Sequence, residues 1–109
     1  MAVVHKLPKP APVADIAGTI SRLSRSPHGH WTLHQLAAMI ALRGGREVVH
    51  QDLAVELAMV APGVTRVADK AETAGLMRRV EHMKDRRKVV LVLTPAGEEF
   101  VEWVLGGAL

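Results

Sequence analysis

The chain has 109 residues, 49% of them hydrophobic and 23% charged, the composition of one globular domain with a single core. It has no cysteine, which excludes disulfides, thiolate metal sites, iron–sulfur clusters and a thiol redox switch, and no apolar run near the roughly 20 residues that span a bilayer. A net charge of +3 is too small by itself to define a partner.

Met1 to Pro12 carries Pro8, Pro10 and Pro12 with Lys6 and Lys9, a pattern that forbids a helix and predicts an extended arm. It lacks the apolar stretch of a secretion signal, so the expected location is the cytoplasm. Residues 13–109 read as one domain. Val13, Ile16, Ala17, Ile20 and Leu23 fall at helical spacing and predict a helix from Val13 to Ser24, broken by Ser26-Pro27-His28-Gly29. Thr32 and Gln35 have capping-box spacing, and Leu33, Leu36, Ala37 and Ile40 continue as a second helix that Gly44-Gly45 stops near Arg43. Val48-Val49 is a short extended piece. A third helix runs from about His50 to Met59, with Leu53, Ala54, Leu57 and Ala58 as its buried stripe. A fourth begins at Pro62, runs to Ala74 and ends at Gly75. Its inner face is Val64, Val67, Ala68 and Ala71, and its outer face Thr65, Arg66, Asp69, Lys70 and Thr73. The period then changes. Leu76–Val80 and Lys88–Leu93 read as strands joined by a polar loop, Glu81 to Arg87. Thr94 caps a last helix with Pro95 at its first position, and Gly106-Gly107 ends it.

The fold class is mainly α with a small β-hairpin, about five helices and a two- to three-stranded sheet. Two short helices joined by a turn and followed by a charged hairpin are the order of a winged helix-turn-helix. Charge placement supports a double-stranded DNA partner. From Leu76 to Lys88 six basic residues face two acidic ones, a net of +4 that exceeds the whole-chain value. An α-helix fits the major groove, and the N-terminal residues of the second helix reach base edges. Those are Pro62, Gly63, Thr65 and Arg66, with Lys70 one turn further along and suited to phosphate. At the hairpin tip, Lys84, Arg86, Arg87 and Lys88 suit phosphates and a narrow minor groove. Asp85 within that basic run is explained if it pairs with an arginine and fixes the hairpin's shape.

From Asp52 to Gly97 the chain resembles the MarR family of bacterial transcriptional regulators. The residues that carry the resemblance are Asp52-Leu53-Ala54, Val64-Thr65-Arg66-Val67-Ala68-Asp69-Lys70, Gly75-Leu76, Arg79, Asp85-Arg86-Arg87 and Leu93-Thr94-Pro95-Ala96-Gly97. The resemblance implies a regulator acting by operator occupancy, with Asp85 bracing the wing and Arg87 entering the minor groove. Three features depart from the family pattern. Ala71 stands where a large aliphatic residue is usual, Ala61 replaces a capping Ser or Thr, and the chain is shorter, as if part of the dimerisation helices were missing. A homodimer is still expected through the apolar faces at the two ends, with Ile16, Ile20, Leu23, Phe100, Val101, Val104 and Leu105 as its contacts.

Other signals are weaker. His28, His30 and His34 cluster in sequence without a carboxylate or cysteine nearby, so no metal is expected. Met39, Met59, Met77 and Met83 could line an effector pocket but are more often core filler. No phosphate-binding glycine loop, nucleophile elbow or zinc-protease motif is present, so neither an enzyme nor a cofactor is expected. Two alternatives remain open at this point: a winged-helix module that binds another protein, and a repressor that responds to a ligand or metal.

Overall fold

Helix α1 (Ile16–Arg25) begins where Asp15 accepts a hydrogen bond from the Gly18 amide at 2.9 Å, satisfying one of the orphan donors of its first turn. The computed structural model describes residues 15–106, so the proline-rich segment Met1 to Pro12 and the expected start of this helix at Val13 lie outside the described residues. The remaining elements are α2 (Leu33–Ala41), β1 (Val48–Val49), α3 (His50–Glu56), α4 (Ala61–Thr73), β2 (Met77–Glu81), β3 (Val89–Leu93) and α5 (Pro95–Val104). Among them no helix is long and apolar enough to cross a membrane.

The sheet has strand order β1-β3-β2, all antiparallel. Met77 to Glu81 pairs with Leu93 to Val89, and Val48-Val49 pairs with Leu91-Val90. The two residues read as a short extended piece thus form the third strand, which fastens the segment before α3 to the hairpin. The core lies between the helices and the inner face of this sheet. Met39, Leu42, Leu53, Val64, Met77, Leu91, Val101 and Val104 are its largest fully buried apolar side chains.

The expected inner face of α4 is the buried one: Val64, Val67, Ala68 and Ala71 all face the core. Its C-terminus closes as the sequence predicts. Gly75 takes φ +77°, the Leu76 amide donates to Ala71 O and the Gly75 amide to Glu72 O. Helix α3 is shorter than expected. It ends at Glu56 because the same motif closes it, with the Met59 amide donating to Ala54 O and the Ala58 amide to Val55 O. Ala58, expected in the buried stripe, is instead exposed and left-handed at φ 52°. An L-residue there costs about 1–2 kcal/mol that glycine avoids. Ala58→Gly is therefore expected to stabilise the fold by about 1 kcal/mol after the added unfolded-state entropy of glycine is deducted. A rise in urea midpoint at unchanged slope checks it, and a fall would contradict the cap assignment.

Helix α5 also differs from expectation. Leu23, Val101 and Val104, expected at a dimer interface, are core residues at 6%, 1% and 0% exposure. The apolar face of α5 is used within the chain, because α1, α2 and β3 each pack on it. Phe100 is half-buried in a cluster with His28, Trp31 and Trp103, while Leu105 is half-buried and Ile16 and Ile20 are exposed. Arg22 on α1 latches this packing by donating Nε–H to Val104 O at 2.7 Å, at the negative end of the α5 dipole.

Candidate nucleic-acid interface

Helix α4 presents a polar outer face because its core residues recur at helical spacing and leave Thr65, Arg66, Asp69, Lys70 and Thr73 exposed. It starts one residue earlier than expected, at Ala61. Its N-cap Val60 makes no side-chain cap bond, and Pro62 in the first turn has no N–H to leave unpaired. Gly63, expected on the contact face, is buried. A β-carbon there would lie 3.1 Å from the Met59 methyl in the turn between α3 and α4.

The side chains on that outer face differ in how they are held. Asp69 pairs with the Arg79 guanidinium from β2, and Glu72 accepts from the Arg79 amide at 3.4 Å. This acid–arginine latch joins α4 to β2 and neutralises the acid beside Lys70. Thr65 donates to Ala61 O at 3.3 Å and lies 3.2 Å from His50 Nε2 at the start of α3. Arg66 and Lys70, by contrast, form no ion pair among the described residues. They border an open cleft of about 280 Å³ with Thr32 and His34 of the α2 N-terminus, and no acid lines it.

From below, α4 is positioned by Gln35. This side chain is 2% exposed and donates Nε2–H to Val67 O at 2.8 Å. The capping box expected at Thr32 is therefore only half formed. Thr32 accepts from the Gln35 amide at 3.2 Å, but the Gln35 side chain turns inward to α4 instead of back to the cap.

In the wing, Lys84, Arg86, Arg87 and Lys88 are all exposed, and Asp85 is partly covered. Asp85 Oδ1 accepts from the Arg87 amide at 3.0 Å and from Arg87 Nε at 3.1 Å, which closes the loop by one acid–arginine pair. The Arg87 side chain remains 91% exposed in that pair. Its two bonds hold the Asp85 carboxyl below the usual carboxylate value, with Lys88 and His82 adding to the effect and burial opposing it. The brace is thus complete at neutral pH and is lost only as pH falls below the ordinary carboxylate range. Lys84, Arg86 and Lys88 form no ion pair among the described residues.

Several positioning groups gave no sequence signal. The Gly44 and Gly45 amides, both at positive φ, each donate at 3.0 Å to the Glu98 carboxylate, which pins the end of α2 to α5. His82 Nδ1 receives the amides of Lys84 and Asp85. Among the described residues no group of three His, Asp or Glu side chains is placed to hold a metal. His28 stacks on Trp31 at 4.5 Å, and burial, then His30, lowers its pKa. The four methionines do not meet in one pocket: Met39 and Met77 are core, Met59 is half-buried and Met83 is wholly exposed.

A helix pair joined by a short turn, preceded by α2 and the short strand β1 and followed by a basic hairpin that completes a three-stranded sheet with β1, defines a winged helix-turn-helix protein. No protein-family model matches the chain, and no curated protein matches it in sequence. Solved structures do match in fold. The chain is similar to the transcriptional regulator BldR from Sulfolobus solfataricus, at 25% identity and TM-score 0.67 over 82% of this chain and 62% of that one. It is also similar to S. aureus MepR, solved as a DNA complex, at 21% identity and TM-score 0.72 over 83% of this chain and 72% of MepR. A mutant MarR from E. coli complexed with operator DNA matches at 22% identity and TM-score 0.70 over 81% of this chain and 61% of MarR. The chain has the MarR-type winged-helix fold that its sequence resembles, and it spans about 62% of the length of relatives such as BldR.

Proposed function

We propose that this chain binds double-stranded DNA sequence-specifically and regulates transcription by occupying an operator. The observation that carries the reading is that most of the cations without an ion pair among the described residues, Arg66 and Lys70 on α4 and Lys84, Arg86 and Lys88 on the wing, lie on the two elements suited to enter grooves, whereas Arg25 and Arg43, also without an ion pair, lie on α1 and just after α2. Neighbours of the same fold were crystallised with DNA, which supports it. In this reading Pro62, Thr65 and Arg66 approach base edges, and Lys70 takes phosphate. Arg87 enters the minor groove with Asp85 setting its direction. Gly63 acts behind the helix, through packing. A dimer would set two α4 helices about 34 Å apart on a pseudo-palindrome. Its contact surface falls on the exposed apolar strip of Ile16, Ile20 and Leu33 beside Leu105.

Fluorescence anisotropy on a mixed-sequence duplex pool across a salt series tests this. Wild type should bind at low salt and weaken steeply as salt rises. Arg87→Ala should weaken binding on every sequence and reduce the salt slope by about 1. Arg66→Ala should in addition relax preference at one base position, by about 1–3 kcal/mol. Absence of binding at low salt by folded protein would overturn the reading, and equal losses for both variants on every sequence would overturn the division of roles.

A further inference from the structure

The wing is held by two devices, and the sequence reading accounts for one of them. The Asp85–Arg87 pair closes its far side. On its near side, His82 follows directly after β2, and its Nδ1 accepts the backbone N–H of Lys84 at 3.1 Å and of Asp85 at 3.2 Å. The His82 amide donates across the hairpin to Lys88 O at 3.1 Å, and the Lys88 amide donates to Asp85 O at 3.0 Å. One imidazole thus organises the segment that carries all four wing cations. Two donors on Nδ1 require a ring nitrogen with a free lone pair, which places the neutral ring's proton on Nε2. A protonated imidazole is a donor at both nitrogens and cannot make either bond.

We propose that His82 is a positioning residue of the wing, its neutral imidazole capping the hairpin loop and its protonation releasing that loop. The inference deepens the DNA-binding reading and rests on it for its effect on affinity, though not for its effect on the loop. The charged and titratable groups around the ring are Glu47 before β1, Glu81 on β2, Lys84 and Asp85 in the loop and Lys88 across the hairpin. Three carboxylates and two lysines thus surround the ring, and a charged ring would face two amide donors. Release of Lys84 and Asp85 then loosens the turn from which Arg87 projects.

The test uses the full chain and two variants. His82→Asn keeps a side-chain acceptor for the amide two residues on, as in an Asx-turn, and cannot titrate. His82→Ala keeps no acceptor. Amide spectra of the free protein are followed from pH 8 to pH 5, the window in which histidine changes charge. In wild type the Lys84 and Asp85 amides should move with the His82 ring at one midpoint. In His82→Asn they should stay put, and in His82→Ala they should already sit at the released position at pH 8. On the mixed-sequence duplex at pH 8, His82→Ala should bind about tenfold more weakly than wild type, the effect of losing two ordinary hydrogen bonds, and His82→Asn should restore most of that. As pH falls, wild-type affinity should drop about tenfold relative to His82→Asn. The other histidines are common to both proteins and cancel in that ratio.

Amides that ignore the ring's titration would overturn the proposal. So would wild-type affinity rising relative to His82→Asn at low pH, which would mark the ring as one more cation on the phosphates. If no protein binds the duplex, the regulator reading fails and the amide titration alone decides the role of His82.

Discussion

Gly97→Ala is expected to destabilise the protein by about 3 kcal/mol, at the upper end for a single added methyl group. A β-carbon at position 97 would lie 2.0 Å from Leu76 O, 3.0 Å from Leu76 C and 3.3 Å from the Leu93 β-carbon. The first two atoms are backbone and cannot rotate away. They are also fixed from several directions. Leu76 O accepts from the Thr94 amide at 3.1 Å, and the Leu76 amide is committed to Ala71 O. Thr94 donates its hydroxyl to Gly75 O at 2.7 Å while accepting from the Gly97 amide at 3.0 Å. The run Leu93-Thr94-Pro95-Ala96-Gly97 is therefore a joint where the end of α4, the start of β2 and the start of α5 meet within one turn of backbone. Forcing α5 outward would pull Val101 and Val104 from the core. For a domain of this size the loss corresponds to a fall in Tm of about 12–24 °C. Gly44→Ala is the control, because its β-carbon meets nothing within 4 Å and the variant suffers only positive-φ strain at φ +80°. If Gly97→Ala melts like Gly44→Ala, the joint is not as tight as the distances state.

What the sequence disclosed divides along a physical line. Most properties set by neighbours along the chain were legible, the left-handed close of α3 at Ala58 excepted. The buried stripe of α4, its stop at Gly75, the caps at Thr32 and Thr94 and the pairing of Asp85 with an arginine of the wing all act within a few residues. Properties set by partners far along the chain were not. Glu98 suits a helix N-terminus on sequence grounds, yet its carboxylate holds two amides 53 and 54 residues away. Gln35 has the spacing of a capping partner and instead crosses 32 residues to α4. Leu23, Val101 and Val104 could not be assigned to core or interface from periodicity, because an apolar face does not state which surface covers it. His82 lies beyond even local rules, since its acceptor role depends on a loop conformation that no histidine pattern predicts. Among the candidate contact residues, exposure was legible for Arg66, Lys70 and the wing cations. Gly63 was not, because a glycine carries no polarity to mark its side.

Substitutions at Gln35 should separate how the helix is filled from how it is aimed. Gln35→Ala removes a nearly fully buried side chain and the bond to Val67 O together, and should cost about 3 kcal/mol from the cavity and the lost hydrogen bond. Gln35→Leu keeps the volume and removes only the polar contact. Val67 O lies inside α4 and retains its helical acceptor role, so no buried group is left wholly unpaired, and the cost should fall to about 1 kcal/mol. Affinity should follow a different order from stability. The bond to Val67 O fixes the rotation and height of α4 one residue after Arg66, and both variants lose it. Base readout needs side chains held to about 0.5 Å, so Gln35→Leu should weaken binding to a selected operator about tenfold while leaving mixed-sequence binding, which depends on phosphates, nearly unchanged. Urea unfolding and anisotropy on the two duplex types measure these terms separately. Equal stability losses for Ala and Leu would show that the hydrogen bond outweighs the volume. Unchanged operator preference in Gln35→Leu would show that core packing of Val64, Val67, Ala68 and Ala71 aims the helix without help from the amide.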